Sequence, residues 1–493
     1  MLVDNSVMNS HTGLAQLEEQ ARHDLARLNF PAANWVPPRT GPDGRTMLDV
    51  LVVGAGMCGQ TAAYGLKRDG MHNLRVIDRE TVGREGPWAT FARMQILRSP
   101  KHLTGPDLGV ASLTYRAWHE ARHGAAGWAE LYKVPRLEWR DYLLWVRETV
   151  GIEVENGTAL VTLEPQGDAL RAGLAGPRGR ETVYARKVVL ALGREGSGSL
   201  RWPAFPSFDP RTRLASARVL HASGEFDFAA FKGKRIGVLG AGATAFDNAA
   251  TALEAGAREV LMFARRPTLP QVNKSKWTSF PGFFHGFAAL SDQARWKFLT
   301  HVYAEQVPPP FESVLRCDGH PNFALHLAEG WSDVRPGEDA VQVITPKARY
   351  AFDTVIVASG FDVDLMQRPE IAAFTRQVET WAKRVSPDEA SMHAEAARFP
   401  YLGSGFEFIE RSPGVLPAAR NVHLFNWGSA MSHGQLAGDI PGLTIGVNRL
   451  TQGIARDLFA ADQERHYEAL LAHAEAELKT TRYYVAPKAS IKP

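Results

Sequence analysis

Two copies of one glycine-rich motif constrain this chain more than any other feature of its sequence. The first copy spans residues 54–59 (GAGMCG) and the second spans residues 240–245 (GAGATA). Each copy follows a short apolar stretch and precedes an alanine-rich stretch of helical character, which is the context of a dinucleotide-binding loop. One such motif is a weak signal. Two on one chain indicate two different dinucleotides and therefore redox chemistry.

The first motif has all the parts of a dinucleotide-binding βαβ unit. Residues 48–53 (LDVLVV) form a near-continuous apolar run, as expected of a buried parallel strand. Gly54 permits the tight turn, Gly56 lets the backbone approach a pyrophosphate, and Gly59 allows the helix to pack close to the strand. Asp78 ends the next apolar run, at the spacing expected for a carboxylate that binds a ribose diol. The residues predicted to bind this first dinucleotide are Gly54, Gly56, Met57, Cys58, Gly59, Asp78 and Arg79.

The second motif differs from the first at the position that distinguishes the two nicotinamide coenzymes. Its third glycine is replaced by Ala245, a variant that such loops tolerate. Where the first unit has its acid, the second has Ala264, followed by Arg265 and Arg266. A carboxylate here would repel a 2′-phosphate, whereas two guanidinium groups bind one bidentately, so the sequence predicts NADPH rather than NADH. The residues predicted to bind NADPH are Gly240, Gly242, Ala243, Thr244, Ala245, Arg265 and Arg266.

Composition and charge exclude several other classes of protein. With 493 residues, the chain is expected to form two or three domains. The 56 Lys and Arg residues nearly balance the 53 Asp and Glu residues, and there is no long basic block, so nothing indicates a nucleic-acid partner. No apolar run in the sequence approaches the length that spans a bilayer, so no membrane span is expected.

The N-terminus and the cysteines indicate the compartment. The first ten residues lack the basic-then-apolar pattern of a signal peptide. Cys58 and Cys317 are the two cysteines, and they do not form a Cys-x-x-Cys pair. A disulfide framework is therefore not expected, and a cytoplasmic location is the simplest prediction. The missing pair also argues against a thiol-disulfide reductase, which needs two cysteines beside its flavin.

Several shorter segments, together with the two motifs, resemble one enzyme family, the class B flavoprotein monooxygenases. This family includes the flavin-containing, the N-hydroxylating and the Baeyer–Villiger monooxygenases, and the resemblance covers about residues 48–460 in domain order. His221 matches the histidine of a family fingerprint that precedes the second motif. The shorter segments are residues 83–88 (GREGPW), 94–95 (MQ), 355–361 (VIVASGF), 432–434 (SHG) and 441–444 (PGLT).

The resemblance implies the cofactors and the fold. In the family, the first glycine motif binds FAD and the second binds NADPH. The implied fold is α/β, with two Rossmann-like dinucleotide-binding domains and the NADPH domain, which carries a helical insertion, inserted in the FAD domain. The expected limits are an N-terminal helical extension (1–45), the FAD domain (46–225 and 351–493) and the NADPH domain with its insertion (226–350). Further FAD contacts implied by the resemblance are Trp88, Gln95, Ser359, Gly360 and Leu443.

The resemblance also implies a reaction. NADPH reduces FAD, O₂ forms a peroxide at flavin C4a, and one oxygen atom passes to a small organic substrate. Gln95, Arg98 and Lys101 are the candidate catalytic residues of the flavin-side pocket. The sequence leaves amine, thioether, ketone and amino-acid substrates open. It also leaves open whether the N-terminal helix packs on the main body or on a partner subunit in a homodimer.

Other functions compete with this interpretation. A flavin-dependent NADPH oxidase or dehydrogenase without substrate oxygenation is the main alternative, and a non-catalytic flavin-binding protein is a weaker one. Residues 119–123 have the His-Glu-x-x-His pattern of zinc hydrolases. In that pattern His119 and His123 would bind zinc and Glu120 would be the base. The string is short enough to occur by chance in a long chain. We therefore interpret these residues as surface or packing residues and predict no metal site.

Overall fold

The computed structural model describes residues 5–210, 218–475 and 477. The first four residues of the predicted N-terminal extension lie outside the described residues, as do most residues after 475 in the predicted C-terminal part. The described residues form two large β-sheets flanked by helices, which confirms the predicted α/β fold with two Rossmann-like units.

The strands and helices have the following bounds. The strands are β1 (Leu48–Val53), β2 (Leu74–Asp78), β3 (Ile96–Pro100), β4 (Lys133–Pro135), β5 (Glu155–Asn156), β6 (Ala159–Gln166), β7 (Ala169–Gly176), β8 (Gly179–Leu190), β9 (Gly198–Leu200), β10 (Val219–His221), β11 (Arg235–Leu239), β12 (Glu259–Phe263), β13 (Phe323–His326), β14 (Asp333–Pro336), β15 (Val341–Ile344), β16 (Arg349–Phe352), β17 (Thr354–Val357), β18 (Phe361–Val363) and β19 (Val422–Leu424). The helices are α1 (Asn5–Arg27), α2 (Met57–Arg68), α3 (Tyr115–Glu130), α4 (Arg136–Thr149), α5 (Ala243–Glu254), α6 (Lys274–Trp277), α7 (Pro281–Gly286), α8 (Asp292–Glu305), α9 (Phe311–Asp318), α10 (Ala372–Thr375), α11 (Pro387–Met392), α12 (Ala394–Ala397), α13 (Ala430–His433), α14 (Leu443–Ala461) and α15 (Gln463–Ala472).

The first sheet joins segments that are far apart in the sequence. Its strands follow the order β5–β2–β1–β8–β7–β6, and β19 pairs in parallel with β8. In β1, every residue except Leu48 is buried, because helices and loops cover both faces of this parallel part. Strands β6 and β7 extend the sheet as an antiparallel hairpin on β8. The C-terminal strand therefore completes a sheet that the N-terminal strand begins.

The second sheet is parallel throughout its described strands, in the order β10–β17–β11–β12–β13. Strand β11 leads into the second glycine motif, and β12 leads to Arg265. The two coenzyme-recognition elements of the second motif thus lie side by side at the carboxyl edge of this sheet, as ligand sites in open α/β sheets do.

The structure moves the expected limits of the second domain outward. Strands β10 and β17 pair within the second sheet, although the sequence placed residues 219–221 and 354–357 in the FAD domain. The predicted helical insertion is also shorter than expected, because residues 274–318 are largely helical but β13 to β16 follow them. Backbone pairing, which pattern alone does not reveal, decides both points. We propose a division of the chain near residues 218 and 358.

Ion pairs join segments near the two ends of the described chain to the first sheet. Asp462, after α14, accepts hydrogen bonds from Arg39 (Nε–Oδ1 2.8 Å) and pairs with Arg186 of β8 (Nη1–Oδ2 2.8 Å). Arg186 also faces Asp49 of β1 at 3.6 Å, and burial raises the pKa of Asp49 to about 6. Removing Arg186 would take away the cation that Asp49 and Asp462 share, and loss of a partner from a buried charged group is destabilising.

The N-terminal helix packs on the main body. A Cβ placed at Gly13 of α1 would lie 2.2 Å from the carbonyl oxygen of Ala121 in α3, so the two backbones are in close contact. Ser112 donates to Asp24 at 2.7 Å. Of the two placements that the sequence left open, the structure thus has the helix on its own chain. None of the described helices is both long and apolar enough to cross a membrane.

Candidate flavin and nicotinamide site

The first glycine loop is tightly packed on the sheet. Gly54 has φ +96°, and a Cβ there would lie 2.7 Å from the carbonyl oxygen of Ala191. A Cβ at Gly59 would lie 1.7 Å from the carbonyl oxygen of Gly54, so only glycine allows α2 to approach the turn. Gly56, before α2, lines the cavity described below. The loop thus brings the positive end of α2 to the cavity, which suits a pyrophosphate.

Asp78 is held rigidly beside this loop. Its carboxylate accepts hydrogen bonds from the backbone amides of Ala55 (2.7 Å) and Glu80 (2.8 Å). Burial raises its pKa, and the side chain lines the cavity at the end of β2. Arg79 also lines the cavity but is engaged at the surface, where it pairs with Glu195 at 3.1 Å. Asp78 is therefore placed to bind a ribose, as the sequence predicts.

Other predicted FAD contacts line the same cavity. Trp88 packs edge-on against Trp139 at 6.3 Å, and its indole Nε1 is buried without a partner among the described residues. Met57 and Cys58 line the cavity between the loop and the C-terminal part of the chain. The Cys58 thiol accepts from the amide of Gly438 at 3.1 Å, and burial raises its pKa to about 11. This thiol is neutral at physiological pH and unsuited to nucleophilic redox chemistry.

The second loop has the same turn but a more open surface. Gly240 has φ +116°, and a Cβ there would lie 2.6 Å from the carbonyl oxygen of Ala358. A Cβ at Gly242 would meet no protein atom within 4 Å, so the loop leaves room for a phosphate. Ala245 is fully buried where the first loop has its third glycine. Ala243 and Thr244 line the cavity.

Arg265 and Arg266 directly follow β12, beside the second loop. The Arg265 side chain is exposed and has no ion pair within the described residues. Arg266 is half-buried and donates to the carbonyl oxygen of Ala304 at 3.4 Å. Neither side chain lines the cavity itself. An uncommitted guanidinium at this strand end matches the requirement of a 2′-phosphate.

One cavity of about 2200 Å³ connects the two loops. A pocket for a single drug-sized ligand occupies roughly 300–1000 Å³, so this cavity is large enough for two nucleotides side by side. Its wall includes Gly56 and Asp78 from the first unit and Thr244 from the second. The packed glycine loop, the fixed carboxylate and the free indole N–H fit FAD in the first half.

The three predicted catalytic residues have three different environments. Arg98 lines the cavity and donates to the carbonyl oxygen of Pro308 at 2.8 Å. Lys101 also lines it, but its ammonium caps the end of α3 by donating to the carbonyl oxygen of Trp128 at 2.6 Å. Gln95 is exposed, does not line the cavity, and donates to Glu254 at 3.4 Å. Its amide is turned toward the carboxylate on α5, and its catalytic and FAD-binding roles stay predictions from the sequence.

The FAD contacts predicted in the C-terminal part of the chain also differ in whether they line the cavity. Ser359 and Gly360 line the cavity, and the Ser359 hydroxyl donates to the carbonyl oxygen of Arg201. Leu443 is wholly buried and does not line the cavity, and its contact with FAD stays a prediction from the sequence. The turn before α14 lines it instead, at residues 438–441.

Four polar or aromatic residues are important among the parts of the cavity wall that the sequence analysis did not name. They are Arg194, Tyr303, Trp427 and Asp439. A signal existed for Arg194, because it follows β8 through Ala191-Leu-Gly193, a strand end similar to the Ala-Ser-Gly that ends β17. Tyr303 and Trp427 had no local signal, since each is an aromatic residue among many.

The His-Glu-x-x-His string does not form the arrangement of a zinc hydrolase. Glu120, the expected base, pairs with Arg116 at 2.9 Å. His119 and His123 instead face Glu138 of α4, at 3.8 and 3.9 Å. Burial lowers the pKa of His119, which is thus neutral. The expected base is thus paired elsewhere, although the ligand atoms of His119, His123 and Glu138 all lie within 4.8 Å of one another and could hold a metal ion.

Fold and site together define a class. Two dinucleotide loops open into one cavity, and Cys58 and Cys317 are both free and buried, which is the pattern of a flavin monooxygenase rather than of a thiol-disulfide reductase. The sequence pattern of the pyridine nucleotide-disulphide oxidoreductase family matches residues 48–280. The chain is 40% identical to FAD-dependent urate hydroxylase from Xanthomonas campestris pv. campestris over 468 residues, which cover 94% of this chain and 97% of that protein. It therefore belongs to the family of this FAD-dependent hydroxylase.

Solved structures agree with this class at the level of the fold. The ornithine N-hydroxylase of Kutzneria sp. 744, solved with reduced FAD, NADP⁺ and L-ornithine, has a TM-score of 0.64 at 14% identity and covers 83% of this chain and 99% of its own. The reduced ornithine hydroxylase of Pseudomonas aeruginosa has a TM-score of 0.65 at 15% identity, with 84% and 100% covered. The predicted family, fold class and enzyme class, an FAD-dependent oxidoreductase of the monooxygenase type, are confirmed.

Proposed function

We propose that this protein is an NADPH-dependent urate hydroxylase, which uses FAD to add one oxygen atom of O₂ to urate. The observation that carries the proposal is the identity of 40% to the FAD-dependent urate hydroxylase across 97% of that protein. In balanced form, urate, O₂, NADPH and a proton give hydroxylated urate, water and NADP⁺. Bound FAD supplies the chemistry of hydride acceptance and O₂ activation.

The protein's own residues bind and orient the cofactors, and they exclude water from the reacting groups. The first loop and Asp78 hold FAD, because Asp78 is already fixed by two backbone amides. Trp88 packs on that half of the cavity wall and has a free indole N–H to offer. Near the junction of the two halves, Arg98 is partly enclosed by the carbonyl of Pro308, which belongs to the segment between α8 and α9. This segment covers the cavity and helps to keep water from the reacting groups.

Support for NADPH as the reductant comes from the second unit. Arg265 is exposed and without an ion pair in the described part of the chain, so its charge is available to a 2′-phosphate. Gly242 leaves the loop open to a pyrophosphate. No carboxylate stands at the end of β12 to favour NADH, since Ala264 occupies that position.

The test measures NADPH oxidation, O₂ uptake, peroxide and urate loss with the purified holoenzyme. We expect urate to accelerate NADPH oxidation and to disappear in a one-to-one ratio with it, with little peroxide. Rapid NADPH oxidation that yields peroxide in equal amount, with urate unchanged, would instead identify an NADPH oxidase. Zinc content, measured on the same sample, should be far below one atom per chain.

Two cellular properties complete the proposal. A cytoplasmic location is supported by two free, buried cysteines, Cys58 and Cys317, which need no oxidising compartment. A homodimer remains a prediction from the sequence. Its test is the molar mass of the holoenzyme in solution.

A further inference from the structure

Arg194 is a charged side chain that faces the cavity without a protein partner. It forms no ion pair and no side-chain hydrogen bond within the described residues, and its Cζ lies 4.2 Å from the centre of the Trp427 ring. The residue lies deep in the protein, where burial lowers its pKa, yet its side chain is exposed on the cavity wall. An unpaired guanidinium in such a place is unfavourable unless a ligand with acceptor atoms binds it.

Three nearby groups also have unused hydrogen-bonding capacity. Arg98 donates one hydrogen bond, to Pro308, within the described residues. Asp439 accepts from the amide of Ile440 at 2.9 Å through Oδ1, and its charge acts on both Arg98 and Arg194. The Tyr303 hydroxyl is buried without a partner among the described residues. The wall thus presents two cations, one carboxylate and one phenol around an aromatic face.

The positions of Arg194 and Arg98 can be described relative to the two glycine loops. Arg194 follows β8, whose Leu190 pairs with Val53 just before the first loop. Arg98 interacts electrostatically with Asp247, which lies on α5 behind the second loop. Arg194 therefore lies on the side of the first loop and Arg98 on the side of the second, and both line the cavity that connects the two loops. The pyrophosphates have their own sites at the N-terminal ends of α2 and α5.

The chemistry of this cluster matches one kind of ligand. A flat aromatic face stacked with a guanidinium suits a planar ring. Two arginines suit ring carbonyls and a delocalised negative charge, whereas a carboxylate suits ring N–H groups. A small anionic purine that carries several carbonyl and N–H groups has all of these features. A flexible aliphatic amine, as in the ornithine hydroxylases, has none of them except a donor for Asp439.

We propose that Arg194 and Arg98 bind the anionic ring of the substrate against Trp427, with Asp439 accepting from ring N–H groups. This inference rests on the proposed function, because urate is the anionic purine in question. The inference adds to the proposed function the residues that select urate. Arg194 is then a substrate-binding residue, and the cluster determines specificity for planar anions over amines.

The test is a titration of oxidised holoenzyme with urate, without NADPH, followed by the flavin absorption spectrum. Compared with wild type, Arg194→Gln should weaken urate binding by about 10- to 100-fold, because a charge-assisted hydrogen bond is lost. Arg194→Lys should recover part of this affinity. Arg178→Gln is the matched control, since Arg178 is 85% exposed and pairs only with Glu155, at 3.6 Å. Flavin content and the KM for NADPH should stay at wild-type values in all four proteins.

Each other outcome overturns a specific statement. Wild-type protein that binds urate while Arg194→Gln binds it equally well would overturn the inference and leave the proposed function standing. Loss of FAD, or a raised KM for NADPH alone, would assign Arg194 to a nucleotide instead. Wild-type protein that shows neither urate binding nor urate turnover would overturn the proposed function, and the inference with it.

Discussion

The two glycine loops share one motif but differ in how firmly the protein surrounds them. At the first loop, a Cβ at Gly59 would overlap the Gly54 carbonyl, and Asp78 is fixed by two backbone amides. At the second, a Cβ at Gly242 would meet no protein atom within 4 Å, and Arg265 is exposed and has no ion pair in the part of the chain that the structure describes. From this difference we expect the first loop to retain its nucleotide and the second to exchange it.

The largest effect is expected at the first loop. Gly59→Ala would push α2 away from the turn, because its Cβ would stand 1.7 Å from backbone. Overpacking of this severity costs more than about 3 kcal/mol. We expect loss of bound FAD and a lower thermal midpoint, measured by flavin absorbance and calorimetry. Gly286→Ala, in a helix with open space around it, is the control that should keep both.

The next effect concerns coenzyme choice at the second loop. The double variant Arg265→Ala, Arg266→Ala should reduce the preference for NADPH over NADH by about 10- to 100-fold, since hydrogen bonds to a charged phosphate are lost. The measurement is kcat/KM for each coenzyme, with FAD content as the reference for folding. An unchanged preference would remove these arginines from the 2′-phosphate site.

A smaller effect is expected for Gly242→Ala. No protein atom lies within 4 Å of the new Cβ, so folding and FAD content should equal those of wild type. The methyl group would instead meet the pyrophosphate, and the KM for NADPH should rise by roughly 10-fold, about 1.4 kcal/mol. If this variant lost FAD as Gly59→Ala does, the contrast between the two loops would be wrong.

The smallest expected effect is the loss of stability in acid that one buried histidine in each of the two sheets causes. Burial lowers the pKa of His221, in β10, to about 4 and that of His423, in β19, to about 3. Below pH 6.5 the unfolded chain binds protons that the folded chain does not, so stability falls as the pH drops toward these values, by at most about 1.4 kcal/mol per pH unit for each histidine. Denaturant unfolding at pH 7.5 and 5 should show a weaker pH dependence in His221→Asn and in His423→Asn. Equal pH dependence in wild type and variants would exclude this cause.

Local parts of the site were predictable from sequence because their cause is local. The turn at Gly54, the apolar run of β1 and the acid at Asp78 are all set within one βαβ unit. The absence of an acid after β12 was equally visible, at Ala264. Such features depend on backbone geometry and spacing, which the sequence states directly.

The remaining parts depend on distant contacts. Gln95 turns outward because Glu254, far along the chain, accepts from its amide. Arg194, Tyr303 and Asp439 meet on one wall only after both sheets have formed. The position of β10 and β17 in the second sheet was not predictable for the same reason. Parallel pairing joins residues that no short sequence pattern connects.

The placement of β19 beside β8 has a consequence for biosynthesis. The strands of the second sheet all lie between residues 219 and 357, so that sheet has its full set of described strands while the ribosome is still adding the C-terminal part. The first sheet must wait for Val422–Leu424, and the charge partner of Arg186 arrives later still, at Asp462. During translation the nascent chain therefore holds an incomplete first sheet, in which β8 can pair with β1 and β7 but not yet with β19.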